Sequence, residues 1–178
     1  MDLIDAVFDY CALNPHPIIT IDGPAGAGKT TLANHIAHTF NSKIPTLVIH
    51  MDDLYNGWDD PFGEPFIDAL ITITEAHAKK IACAIPQYDW SVGAYGPAKT
   101  FQPAQLLILE GVGSSTSQIR DVVSASIWID IKPEVGLQRV LTRDGTSIAT
   151  EMQQWLKTQE TFFTAEKSAE SADFALTT

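Results

Sequence analysis

The chain is poor in basic residues and in cysteine. Its 178 residues hold 11 Lys and Arg against 22 Asp and Glu, a formal net charge of -11. A field of that sign repels nucleic acid and anionic membrane surfaces, so any phosphate must be held by local donors. Cys11 and Cys83 stand far apart without metal-ligand spacing, the pattern of unpaired thiols in a reducing cytoplasm. No apolar run approaches the roughly 20 residues that span a bilayer, and the opening MDLIDAVFDY lacks the basic start of a secretory signal. Repeats and low-complexity linkers are absent. None of the five histidines has metal spacing, and His35 and His38, on an expected helix, carry no catalytic role. What these absences leave is a cytoplasmic chain, one domain over residues 1–178, whose 45% hydrophobic content can bury a substantial core.

Apolar strand-like runs alternate with helix-like ones, the pattern of an α/β protein with a parallel sheet. PIITI (17–21), TLVIHM (46–51), LLIL (106–109), SIWIDI (126–131) and ADFAL (172–176) read as strands. Helices are expected from Lys29, where Leu32, Ile36 and Phe40 recur at four-residue spacing, then over 63–82, from Pro133 to about Arg143, and around Met152, Trp155, Leu156 and Phe163. The stretch IPQYDWSVGAYGPAKTFQP (85–103), rich in Pro, Gly and aromatics, reads as a loop across a site.

Between the first strand and the first of these helices stands Gly23-Pro24-Ala25-Gly26-Ala27-Gly28-Lys29-Thr30-Thr31, which contains G-x-x-x-x-G-K-T in the context a phosphate-binding loop requires. Glycines let backbone N–H groups turn inward around phosphate oxygens, and the helix N-terminus adds partial positive charge. Lys29 is placed to reach the β and γ phosphates of ATP, and the Thr30 hydroxyl to join the shell of a magnesium ion. The whole run from Gly23 to Thr31 is the expected nucleotide site.

A phosphate loop alone does not separate a kinase from an ATPase, a switch acting on a protein partner, or a nucleotide-binding module without catalysis. No Asn-Lys-x-Asp guanine-reading motif follows, which argues against a GTPase switch. Asp52 and Asp53 instead follow the second strand, at the end where open α/β sheets place their ligands, and Asp52 is the expected base. Glu110 closes LLIL and suits magnesium. Arg139 and Arg143, two of only three arginines, lie four apart on one helix face and can point together at a transferring phosphate.

Taken together, IDGPAGAGKTTLA, MDDLY, YDW, LILEG and QRVLTRD resemble the uridine kinase branch of the phosphoribulokinase/uridine kinase group of P-loop kinases, in order from about Ile18 to Asp144. The resemblance implies a P-loop NTPase fold of the nucleoside/nucleotide kinase type, a parallel five-stranded sheet with helices on both faces. It also implies use of ATP and magnesium to phosphorylate a nucleoside 5′-hydroxyl, with a small molecule as partner and a homo-oligomer as an option. It maps the catalytic aspartate onto Asp52, the magnesium-linked glutamate onto Glu110, substrate-site aromatics onto Tyr55, Tyr88 and Trp90, and helix and lid arginines onto Arg139 and Arg143. Tyr95 is a further candidate for the acceptor pocket. Two features depart from the family: no histidine stands near Gly93, and the short lid region, about 144–150, reads GTSIAT after Asp144 with no further arginine.

Overall fold

Five strands form one parallel sheet in the order β2-β5-β1-β6-β7. They are β1 (Ile18–Asp22), β2 (Thr46–His50), β5 (Leu106–Glu110), β6 (Ala125–Asp130) and β7 (Phe174–Thr177). The structure, a computed structural model, describes residues 3–41 and 44–178. The central strands β1 and β5 are buried at every position, which is why their sequences are continuous apolar runs rather than alternating ones. Successive side chains still divide between the two faces. Ile18, Leu107, Leu109 and Trp128 join one core with α3 (Glu64–Lys79) and α5 (Ala149–Glu166). Ile19, Ile21, Ile108 and Ile127 join the other with α1 (Leu3–Cys11) and α2 (Lys29–Asn41). Helices therefore cover both faces, as expected.

The strand order sets the site. From β1 the chain crosses to β2, returns to β5 beside β1, and then passes to β6 on β1's other side. The winding reverses at β1, and a crevice opens beyond the carboxyl ends of β1 and its neighbours. The phosphate loop leaves β1 there, and α4 (Pro133–Asp144) runs beside it.

Three elements differ from the sequence reading. The run 85–103 is not a loop but most of an antiparallel hairpin, β3 (Cys83–Asp89) with β4 (Ala94–Phe101). Its two strands pair only with each other, only Ile85 and Phe101 among their residues are fully buried, and the pairing shifts register between Pro86 and Tyr88. The turn is closed by Asp89, which accepts from Ser91 N–H and Oγ and, through its carbonyl, from Gly93 N–H. The strand expected to reach Met51 ends at His50, and Met51–Asp53 is a single 3-10 turn. Helix α1 was not anticipated, although Leu3, Ile4, Val7 and Cys11 fall on one face of it. Cys11 is buried and Cys83 half-buried, and both are free thiols. Among the described residues, no helix is long and apolar enough to cross a membrane.

Candidate active site

The phosphate loop is packed so closely that two of its glycines are obligatory. At Gly23, φ +140°, a Cβ would lie 2.2 Å from the Ile129 carbonyl oxygen, and at Gly26, φ +80°, it would lie 2.3 Å from that of Gly136. Gln159, buried on α5, accepts from the Ala25 N–H at 3.1 Å, tying the loop to the far helix. The first turn of α2 begins at Lys29, so the N–H groups of Lys29, Thr30 and Thr31 have no carbonyl one turn back to accept them and face outward from the helix start.

Lys29 is 8% exposed and its ammonium donates to the carbonyls of Gly23 and Pro24 at 2.8 and 2.9 Å. Burial lowers its pKa, and the carboxylates of Asp22, Asp52 and Glu110 act in the other direction. Ala25, Gly26, Gly28, Lys29, Thr30 and Thr31 line a cavity of about 630 Å³. Gly23 and Pro24 sit behind it as acceptors for Lys29, and Ala27 is packed into the core.

Asp52 and Glu110 line the same cavity. The Thr30 hydroxyl donates to Glu110 Oε1 at 2.9 Å. These are hard oxygen donors of the kind magnesium takes. Among the described residues no three His, Cys, Asp or Glu side chains converge as a metal cage. An ion held by one or two protein oxygens, with phosphate and water completing its shell, fits that donor set. Asp52 opens onto the cavity while protein surrounds it, so burial raises its carboxyl pKa and Lys29 opposes the rise. Asp53 turns away and accepts from Gln87 Nε2 on the hairpin at 3.2 Å. The two adjacent aspartates thus separate, though through a 3-10 turn rather than through strand alternation.

Arg139 and Arg143 both line the cavity. Arg139 Nη1 donates to the Gly26 carbonyl at 3.3 Å, and Arg143 holds Asp144 through Nε and Nη2, both at 2.7 Å. That pairing, foremost, raises the Arg143 pKa. Replacing Arg143 with alanine is expected to lower kcat about 10²-fold while changing ATP affinity much less. Arg139→Ala should follow the same direction, and steady-state kinetics beside calorimetric ATP binding checks both.

The aromatic candidates divide. Tyr55 and Trp90 line the cavity; Tyr88 and Tyr95 do not. Tyr55 is 1% exposed, its ring packs on Phe62, Phe66 and Trp155, and its hydroxyl donates to the Val112 carbonyl at 2.8 Å. Burial accordingly lifts its pKa well above the ordinary phenol value. Tyr88 stands behind Trp90 with its hydroxyl against Gly57, and Tyr95 donates to the Leu54 carbonyl at 3.0 Å, docking the hairpin.

Sequence reasoning passed over four residues here. Asp22, fully buried, accepts backbone N–H groups of Gly23, Gly113 and Ser115 at 2.7, 3.0 and 3.2 Å, which knits the ends of β1 and β5 beneath the loop. His50 Nδ1 shares a 2.5 Å hydrogen bond with Glu110 Oε1, which raises the His50 pKa. Trp58 and Trp155 line the cavity. The position of Asp22 immediately before the loop was the available signal; Trp58 and Trp155 gave none beyond apolar spacing.

Burial, against the opposing hydrogen bonds and Lys29, pushes the Asp22 carboxyl up to about 6. Because its folded pKa exceeds the unfolded value of about 3.9, its proton adds stability below that value, and the gain is lost as pH rises through about 6. Between pH 5 and pH 7 this term should lower unfolding free energy by roughly 1 kcal/mol. Urea denaturation at the two pH values should show it in the native chain and show a smaller difference in Asp22→Asn.

Comparison with known proteins bears on this geometry. The profile of the Phosphoribulokinase / Uridine kinase family matches residues 65–171. A uridine kinase of Staphylococcus carnosus is 28% identical over 163 residues, covering 81% of this chain and 77% of that protein. One from Lactobacillus helveticus is 27% identical over 162 residues, covering 79% and 75%. In fold, the structure of a possible uridine kinase from Bacillus stearothermophilus superposes with a TM-score of 0.68 at 18% identity, covering 99% of this chain and 100% of that one. A phosphate loop at the winding reversal of a parallel sheet and a family match over the region that follows it lead to the same place: the chain belongs to the phosphoribulokinase/uridine kinase family.

Proposed function

We propose that the protein is an ATP-dependent kinase that transfers the γ-phosphoryl group to a hydroxyl of a small alcohol, a nucleoside being the first candidate. The observation that carries the reading is one cavity shared by the phosphate loop, Asp52, Glu110 and Arg143. The names of the relatives support the nucleoside. In this reading the acceptor oxygen forms a bond to the γ phosphorus as the bond to the β,γ-bridging oxygen breaks, the hydroxyl proton passes to Asp52, and ADP leaves. Gly26, Gly28 and the first turn of α2 hold the phosphates, and Lys29 faces the β and γ groups. Thr30 and Glu110 would hold magnesium, which when bound neutralises charge between those phosphates. Arg139 and Arg143 face the transferring group, and the segment 144–150 serves as a reduced lid between α4 and α5.

ATP consumption measured against a panel of nucleosides and other small alcohols tests this. Turnover that depends on an acceptor and yields its phosphate ester is the expected result. Equal turnover without any acceptor would mean an ATPase, and Mg-ATP binding with no turnover on any alcohol would mean a binding module.

A further inference from the structure

Besides the phosphate loop, the cavity is lined by rings that touch in series. Trp90 meets Trp58 at 4.9 Å between centroids, Trp58 meets Trp155 at 5.9 Å, and Trp155 meets Tyr55 at 4.9 Å. All four line the cavity, with Ile148 and Met152 beside them. The polar atoms this wall carries are largely committed. Tyr55 donates its hydroxyl to the Val112 carbonyl, and Trp90 donates its indole N–H to the Asp52 carbonyl at 2.9 Å. Trp58 and Trp155 can only donate. Arg143 and Asp144 are paired with each other, and the remaining polar lining side chains belong to the phosphate side, except the Asp52 carboxylate.

A nucleobase edge presents donors as well as acceptors. On this wall its N–H groups would meet no side-chain acceptor other than Asp52, which the kinase reading assigns to the hydroxyl. Ring faces, in contrast, are matched by aromatic side chains: Trp58 and Trp90 are the more exposed of the four, and the buried Trp155 and Tyr55 back them. We propose that the acceptor is recognised by the faces of its ring and not by its edge, with Trp58 and Trp155 as the specificity-determining residues, so that the protein discriminates little among bases. This rests on the reading above and deepens it by naming the acceptor class: an alcohol that also bears a flat ring whose hydrogen-bonding edge is not read.

The contrast with edge reading is large. A site built to hydrogen-bond a substrate rejects the analogue lacking that group by about 10⁴- to 10⁵-fold, whereas apolar contacts separate close analogues by roughly 10- to 200-fold. The probes are uridine, cytidine and a riboside in which a phenyl ring replaces the base, so that the hydroxyl and sugar are constant and only the edge changes. For the full chain with Mg-ATP, kcat/KM for the three should agree within about 10-fold. Trp58→Ala, at a half-buried position where folding should survive, should raise KM for all three together by at least about 10-fold with a smaller change in kcat, and Trp58→Phe should recover much of it.

A preference for uridine over the phenyl riboside of about 100-fold or more, or an unchanged KM in Trp58→Ala, would overturn the proposal. Calorimetric binding of the same three ligands without ATP separates this from the kinase reading. If all three bind alike and neither they nor any other alcohol is phosphorylated, the kinase reading fails and face recognition stands. If none binds, face recognition fails whatever the turnover on other alcohols.

Discussion

Replacing Lys29 with alanine is expected to weaken Mg-ATP binding by about 10- to 100-fold and to reduce turnover by a further 10²- to 10³-fold. Lys29 is buried, and the carboxylates of Asp22, Asp52 and Glu110 favour its charged form. Without it a triphosphate would approach carboxylates with only backbone N–H groups and two exposed arginines to offset the repulsion. The loss in kcat should exceed the loss in affinity, because charge on the β,γ-bridging oxygen grows during transfer and one less donor meets it. Lys29 also holds the loop through the carbonyls of Gly23 and Pro24, so a fall in activity could reflect a displaced loop. Lys29→Arg separates the two causes. It keeps the charge but places a planar fork where a compact ammonium bridges two carbonyls, and it should retain more ATP affinity than Lys29→Ala while still losing kcat. Calorimetry and circular dichroism on both variants are the measurements. Folded Lys29→Ala with native affinity and native turnover would end the phosphate-loop reading.

The phosphate loop was legible because its chemistry demands residues that little else demands in that order. Gly23 and Gly26 have no room for a Cβ, and Lys29 and Thr30 must follow at the start of the helix. The sheet was legible for a similar reason: burial on both faces turns β1 and β5 into runs that fit no surface element. The hairpin was hidden because its two strands bury little beyond Ile85 and Phe101, too few apolar positions to mark an alternation, and Pro86 and Pro97 read as breaks. The aromatic wall was half hidden. Its members come from the turn after β2, from the hairpin and from α5, and nothing local in the chain announces that Trp58, Trp90 and Trp155 meet. Tyr88 and Tyr95 looked equivalent to Trp90 in sequence, yet they are cross-strand partners within a hairpin that was not foreseen and their hydroxyls meet Gly57 and Leu54, whereas Trp90 lies in the turn just beyond β3. Asp22 was in plain view, but its importance lies in Gly113 and Ser115, which reach it only through the fold.

Asp52→Asn is expected to lower kcat by about 10²- to 10⁴-fold with little change in ATP affinity. The amide keeps the shape of the carboxylate and can still hydrogen-bond the acceptor, but it cannot take the proton. Transfer of a phosphoryl group passes through a loose transition state, so holding the hydroxyl in line contributes beside proton removal, and the residual activity of the variant measures that share. Asp53→Asn is the control, because its carboxylate is turned to Gln87 and away from the cavity, and it should remain within a few-fold of the native chain. The pH profile gives a second readout. In the proposed reaction the ionised form of Asp52 is the base, and its pKa is raised by burial against the pull of Lys29. Activity should therefore fall on the acid side at a pH above the ordinary aspartate value of about 3.9, and that limb should be lost in Asp52→Asn. Both measurements need a confirmed acceptor and saturating Mg-ATP. Phosphate transfer by Asp52→Asn within a few-fold of the native rate, with Asp53→Asn failing instead, would move the base to the neighbouring carboxylate. Full activity in both variants would remove this turn from the chemistry altogether.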